Sequence, residues 1–268
     1  MKQVFRRALE RFSRERVITR RLPVDLGRAK IFVSPDASLQ FWYPRWSAKN
    51  RDLMDMASKT VKPGNVVWDI GANVGLYSFA AAWAVGEQGA VYAIEPDVLL
   101  CDLLQKSSAS LSSGYAKVKP ICAAVSDCLD LAELHIANRG RCANFIGKGS
   151  TQHGGTRRVN LVPTLTLDWL AERLPAPDVI KIDVERMENR VLAGASNVLE
   201  RHPRIVCECG SELSGEVTRI FKKFGYSLFD GDNSFAPVDH ATWSTFAIAT
   251  AASTSHETSM LSLPSVRR

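Results

Sequence analysis

The chain has 268 residues, 46% hydrophobic and 23% charged, with 34 Lys or Arg against 28 Asp or Glu and a formal net charge of +6. That length suits one large domain with decoration, or a domain of about 200 residues with terminal extensions, and no apolar run reaches the roughly 18 residues needed to cross a bilayer. The charge is concentrated: residues 1–30 hold ten basic side chains against three acids, leaving a balance of −1 on the other 238, which argues against a basic nucleic-acid groove in the body of the protein.

The opening segment, MKQVFRRALERFSRERVITRR, interrupts every apolar stretch with Arg and lacks a signal-peptide core. The expectation is a cytoplasmic protein. Val4, Phe5, Ala8, Leu9 and Phe12 recur at three and four residues, which predicts an amphipathic helix from residue 2 to about 17 with an Arg-rich opposite face. Three roles suit such a helix: packing on the domain, contact through residues 1–21 with an anionic membrane surface at its inner face, or contact with nucleic acid or a partner. FVSPDASLQFWYPRW follows as an extended lead-in. Residues 1–48 therefore read as an arm and lead-in, and 49–250 as the domain.

A helix from about Asn50 to Lys59 ends at VKPG, and strands and helices then alternate. Strands are expected at 66–70, 90–95, 117–125, 178–184 and 204–209, with closing strands near 226–230 and 243–250. Helices are expected at 74–85, 97–110, 166–173, 188–200 and 213–224. Such alternation predicts an α/β fold, a mostly parallel sheet covered by helices on both faces. An excursion from Leu131 to Pro163, centred on NRGRCANFIGKGSTQHGGTRR, reads as a long hairpin or mobile loop. His153 within it reads as a solvated loop residue or one that arrives on loop closure, and 251–268 reads as a disordered tail. Cys101, Cys122, Cys128, Cys142, Cys207 and Cys209 have neither metal nor disulfide spacing and read as reduced core thiols.

The stretch VVWDIGANVGLYSFAAAWAV is a buried strand that ends in Asp69 and Ile70, turns through Gly71 and Gly75, and restarts as an Ala-rich helix. In open α/β sheets, ligands bind beyond the carboxyl ends of the strands, and glycine lets a ligand or backbone approach closely. The second strand ends in Glu95, an acid placed to accept hydrogen bonds from both ribose hydroxyls of a nucleoside. A dinucleotide needs G-x-G-x-x-G for its pyrophosphate. Here Asn73 takes the place of the middle glycine, which disfavours a nicotinamide cofactor and fits S-adenosylmethionine.

VVWDIGANVGLYS, YAIEPD, ICAAVSD, TLTLDWL, VIKIDVERMENRVLAGA and RIVCEC follow one another in an order and spacing that resemble the FkbM family of class I S-adenosylmethionine-dependent methyltransferases, over roughly residues 60 to 230. The resemblance implies a Rossmann-like, seven-stranded, mostly parallel sheet with one antiparallel strand. It also implies methyl transfer to a hydroxyl of a sugar, glycolipid or secondary metabolite. By the same carry-over, Asp69, Gly71, Asn73 and Gly75 line the methionine and ribose of the cofactor, Glu95 holds the ribose, and Val125, Ser126 and Asp127 lie beside the adenine.

The fourth strand, VIKIDVE, carries the chemistry. A lysine in a strand buried on both faces is costly unless paired, and Lys181, Asp183 and Glu185 share parity if the extended backbone persists. Lys181 is read as support, with Asp183 and Glu185 at the mouth and Glu208 joining them from the fifth strand. A sugar hydroxyl ionises far above neutral pH, so a positioned base must take its proton. The same carboxylates would alternatively suit Mg²⁺, a reading not favoured. Asp168 reads as a helix cap, and Trp68 and Trp169 as core.

One departure stands out. The family commonly has DVEGAE, whereas this chain places Arg186 and Met187 before Glu188. Arg186 would narrow the pocket, supply a cation for an anionic acceptor, or mark a lapsed, cofactor-binding protein tethered by its basic arm. The acceptor and the oligomeric state are not legible.

Overall fold

The computed structural model describes residues 2–138, 140–146 and 155–249. His153 and the tail 251–268 lie outside the described residues. At the N-terminus the amphipathic pattern forms α1 (Lys2–Phe12). It stops short of residue 17, where Ser13 turns its hydroxyl back to the Leu9 carbonyl at 2.7 Å, and the chain enters β1 (Ile18–Arg21), antiparallel to β2 (Lys30–Val33). The lead-in is built into the fold: Leu22, Leu26, Ile31 and Val33 are buried. The Tyr115 hydroxyl donates to Leu26 O at 2.8 Å and accepts from Ala29 N at 2.9 Å.

α2 (Ala48–Thr60), N-capped by Ser47, precedes the alternating core of β3 (Val66–Ile70), α3 (Leu76–Val85), β4 (Ala90–Ile94), α4 (Val98–Ala109) and β5 (Lys117–Ile121). The strand expected over 117–125 breaks after Ile121. β6 (Ala124–Val125) joins a separate four-stranded sheet with β7 (Asp130–Ala137), β8 (Phe145–Ile146) and β9 (Thr156–Leu165), in the order β6-β9-β7-β8. The excursion is thus mostly an antiparallel hairpin of β7 and β9.

The chain returns through α5 (Leu167–Ala171), β10 (Val179–Ile182), α6 (Glu188–Ala193), α7 (Ser196–Leu199), β11 (Arg204–Glu208), α8 (Ser214–Lys223), β12 (Tyr226–Asp230), β13 (Ala236–Val238) and β14 (Ser244–Ala249). The helix expected over 188–200 is two helices. It divides at Gly194, where a Cβ would meet Ser126 O at 2.4 Å. Asp168 does act as a cap, but of α7: its carboxylate accepts from Asn197 N and Val198 N at 3.1 and 3.0 Å. Thr166 caps α5.

The main sheet runs β13-β12-β14-β11-β10-β3-β4-β5. β11, β10, β3, β4 and β5 are parallel, and β14 is inserted antiparallel between β11 and β12. This is the expected seven-strand array with one reversed strand, extended at its edge by β13. Near-continuous apolar runs suit strands buried on both faces. On one face Met54, Phe79 and Leu103 pack with Ile31; on the other, Leu170, Val191 and Phe221 pack against Trp68 and Ile180. Of the six cysteines expected in the core, Cys101, Cys207 and Cys209 are buried, whereas Cys122, Cys128 and Cys142 fall between strands and are exposed.

The inserted sheet is fastened to the domain by charge. Arg141, 9% exposed, binds Asp36 at 2.8 Å and Asp97 at 2.6 Å. Arg157 binds Asp36 at 2.6 Å, and Asn144 donates to Asp97 at 2.7 Å. Burial works against the Asp36 carboxylate, but the guanidinium groups of Arg157 and Arg141 outweigh it and hold its pKa below the ordinary value. Removing one partner of a buried ion pair strands the other. Arg141→Met should therefore lower the stability by about 3–5 kcal/mol, read from the midpoint and slope of urea unfolding; a loss under about 1 kcal/mol would mean that the cluster is not what fastens the insertion.

Candidate active site

The parallel strands end along one edge of the sheet, where a cavity of about 1260 Å³ opens. Gly71 follows β3, Glu95 follows β4, Asp183 follows β10 and Glu208 ends β11, and all four line that cavity.

On one side the β3–α3 turn is held in a shape that needs glycine. Gly71 has φ +78°, and a Cβ there would lie 1.9 Å from the Asp183 carbonyl oxygen. Gly71 N and Ala72 N both donate to Ile94 O, at 2.9 and 3.1 Å. Asn73 is also left-handed, at φ 53°, and Gly75 at φ +86° precedes α3. Glu95, 6% exposed, clamps this turn from β4: its carboxylate accepts from Asn73 N at 2.9 Å and Asp97 N at 2.9 Å. Burial, with the nearby Asp97 charge adding to it, pushes the Glu95 carboxyl up to about 7. Ile94, Ala124 and Val125 form an apolar flank.

Asp69 lies beneath the cavity, fully buried, accepting from Ser78 Oγ at 2.5 Å and facing Lys181 Nζ at 3.5 Å. Burial pushes its carboxyl up. Ser126 and Asp127 stand outside the cavity lining. The Ser126 hydroxyl turns to Asp127 at 3.0 Å, and Arg190 binds the Asp127 carboxylate at 2.6 Å, lowering its pKa to about 2.

The other side is acidic. Lys181, 3% exposed, donates to Asp183 Oδ2 at 3.1 Å and to Gly71 O at 3.3 Å. Burial opposes its charge, yet Asp183, Asp69 and Glu208 more than offset that and hold the ammonium above its ordinary range. Glu208 is pushed up to about 7 by desolvation and by Asp183, against the pull of Lys181 and Lys49.

Glu185 reaches the same cavity by a different route from the one that parity implied. β10 ends at Ile182, and Glu185 and Arg186 take left-handed backbones with φ 51° and 77°, so alternation along a strand does not extend to Glu185. Partial desolvation at the rim, with repulsion from Asp183, Glu188 and Glu208, pushes its carboxyl up to about 7. Arg186 thus holds a left-handed conformation that glycine would adopt freely, at a cost of order 1–2 kcal/mol. Its guanidinium is bound to Glu212 at 2.6 Å, and both residues line the cavity. Lys49, Arg141 and Trp243 also line the cavity, and none was singled out from the sequence. Among the described residues no group of three or more His, Cys, Asp or Glu side chains is arranged to hold a metal ion.

A family model described as the methyltransferase FkbM domain matches residues 69–228. The hexuronic acid methyltransferase AglP of Haloferax volcanii is 26% identical over 187 residues, covering 69% of this chain and 72% of that protein. Among solved structures, fibrillarin of Aeropyrum pernix, with natively bound S-adenosylmethionine, is 12% identical, with 87% of this chain and 94% of that chain covered at a TM-score of 0.44. A methyltransferase FkbM of Methylobacillus flagellatus is 14% identical, with 73% and 50% covered at a TM-score of 0.38.

The raised carboxyls make stability depend on pH in a definite direction. Glu95 and Glu208 both ionise near 7 in the fold, against an ordinary value of 4.5. The folded protein therefore binds protons that the unfolded chain has released, and stability falls as pH rises from about 4.5 through 7. The Tm of the cofactor-free protein should be higher at pH 5 than at pH 8, and the difference should shrink in Glu208→Gln. Calorimetric scans at the two pH values test this, and a Tm that rises over that interval overturns it.

Proposed function

The chain belongs to the FkbM family of S-adenosylmethionine-dependent methyltransferases, and we propose that it transfers the methyl group to a hydroxyl oxygen of a sugar or sugar-containing acceptor. The nucleoside end of the cofactor fits the β3–α3 turn. Gly71 brings bare backbone to the cavity edge, Gly75 lets the turn pack closely on Phe79 and Leu104 beneath it, and Glu95 presents a buried carboxylate suited to two vicinal ribose hydroxyls. Asp69 supports the turn from below, Asn73 shapes it, and Val125 flanks the adenine, with Ser126 and Asp127 one step further out. When bound, S-adenosylmethionine supplies an electrophilic methyl carbon on sulfur.

The chain's own work is to orient the acceptor hydroxyl and take its proton as the oxygen is methylated. A carboxylate with a pKa near 7 is a stronger base than an ordinary one and is still largely ionised at slightly alkaline pH. Glu208 and Glu185 meet that requirement. Asp183, tethered by Lys181, orients the hydroxyl between them. The observation that most supports this reading is that three acids from two neighbouring strand ends share one cavity with Glu95. The carbohydrate chemistry in the name of the Haloferax relative supports a sugar acceptor.

Calorimetric titration should give micromolar binding of S-adenosylmethionine and S-adenosylhomocysteine and none of NAD. Asp183→Ala should lower methyl transfer to carbohydrate acceptors by a factor of about 100 or more while changing cofactor affinity only a few fold. Undiminished transfer in that variant would remove Asp183 from the mechanism.

For the N-terminal segment we propose peripheral contact with anionic lipid. Arg6, Arg11, Arg14 and Arg16 are exposed beside Phe12, which is 55% exposed, a pairing of basic and apolar surface suited to an interfacial helix. No helix among the described residues is long and apolar enough to cross a membrane. Because Ser13 and β1 are built into the fold, a truncation must stop before them. Deleting residues 2–11 should weaken binding to phosphatidylserine-containing vesicles in a sedimentation assay without changing Tm; equal sedimentation of the two forms would reject the contact.

A further inference from the structure

Beyond the family-matched segment, the short turn before β14 and the first residue of that strand bring three further side chains to the site. Thr242, Trp243 and Ser244 all line the cavity. Trp243 is 57% exposed at its mouth, and the ammonium of Lys49 lies 5.9 Å from its ring centre. Tryptophan joins a large apolar face to a polar N–H, a combination suited to a ring at the mouth of a binding cavity. The hydroxyl oxygens of Thr242 and Ser244 are buried and, among the described residues, without a hydrogen-bond partner. Ser244 is only 3% exposed, and an orphaned buried hydroxyl calls for an explanation. Ser244 is also the direct cross-strand partner of Glu208, so the turn adjoins the acid already assigned to proton removal.

The charge around this turn is lopsided. Asp183, Glu185, Glu208 and Asp232 line the acceptor side of the cavity. Against them stand Lys49, Lys181 and Arg186, of which Lys181 is already committed to Asp69 and Asp183, and Arg186 to Glu212. A carboxylate on the acceptor would enter a field that already resists its own acids.

We propose that the Thr242–Ser244 turn holds the acceptor, with Trp243 stacked on the apolar face of a pyranose ring, Thr242 and Ser244 bonded to its hydroxyls, and the ring itself uncharged rather than a uronate. This rests on the sugar methyltransferase reading above and adds the acceptor's class and the residues that select it. The pairing suits sugars because one pyranose offers both an apolar face of C–H groups and a rim of hydroxyls. Thr242 and Ser244 are therefore specificity residues, and Trp243 is the platform.

The test is saturation-transfer NMR on the full chain loaded with S-adenosylhomocysteine, using the methyl glycosides of glucose, mannose, rhamnose and glucuronic acid as probes. The neutral glycosides should receive saturation on their ring protons, and the glucuronide should receive much less. Trp243→Ala should reduce the neutral signal about fivefold and Trp243→Phe should largely retain it, as expected for a stacking contact. Ser244→Ala should weaken the signal while leaving the urea midpoint unchanged, because the hydroxyl bonds nothing in the fold.

Equal signals from wild type and Trp243→Ala, no signal from any neutral glycoside, or a glucuronide signal as strong as the neutral ones would overturn the proposal. So would a Ser244→Ala variant that loses stability but keeps its signal. Calorimetry with S-adenosylhomocysteine on the same samples separates the levels. A wild type that fails to bind it overturns the methyltransferase reading itself, whereas unchanged affinity in Trp243→Ala confines any failure to the acceptor turn.

Discussion

A lysine ammonium buried in the central strand of the sheet is the constraint on which the site depends. Lys181 is 3% exposed, and a charge so placed is tolerated only with partners of opposite sign and filled hydrogen bonds. Asp69 answers it from the adjacent strand, where the two residues are register partners, and Asp183 answers it from two residues on. The Gly71 carbonyl takes a further donor. Those contacts lock the ends of β3 and β10 together, and the glycine at position 71 follows from the closeness of that join. The acid proposed to orient the acceptor is thus fixed by an interaction whose first service is to make the buried lysine bearable.

A second polar chain fixes the opposite wall. Glu95 accepts from the Asp97 backbone, Asp97 binds Arg141, and Arg141 binds Asp36, which also holds Arg157. The acid proposed for the ribose is connected in this way to the inserted sheet and to the N-terminal lead-in. Buried networks of this kind are costly when incomplete and specifying when complete. The insertion is therefore a wall of the site and not an ornament on its rim.

The positions Asp69, Glu95, Asp183 and Glu208 were legible because parallel strands are apolar runs, and an acid at the end of such a run is conspicuous. The sheet order followed from the alternation of elements. Glu185 was assigned to the cavity for a reason the backbone does not obey, since a left-handed turn and not strand alternation brings it there. Arg141 and Asp36 are 105 residues apart, and no local pattern joins them. Trp243 was absorbed into an expected buried strand; the strand begins one residue later, and that single step leaves the ring in solvent. The lead-in looked merely extended because its apolar residues have no period, although Val33, Ala37 and Phe41 are buried in the core.

β14 is the last strand among the described residues but sits inside the sheet, between β11 and β12. Synthesis therefore delivers β12 and β13 before the strand that must separate them from β11. Until residues 244–249 emerge, β11 and β12 each present an open edge, the surface most prone to pairing with the wrong chain. Ribosomes add residues over seconds, and domains generally fold as units. A nascent chain of this protein is thus committed late: its central layer closes only when almost all of the described chain has been made, and a translational pause before Ser244 would hold it in its most adhesive form.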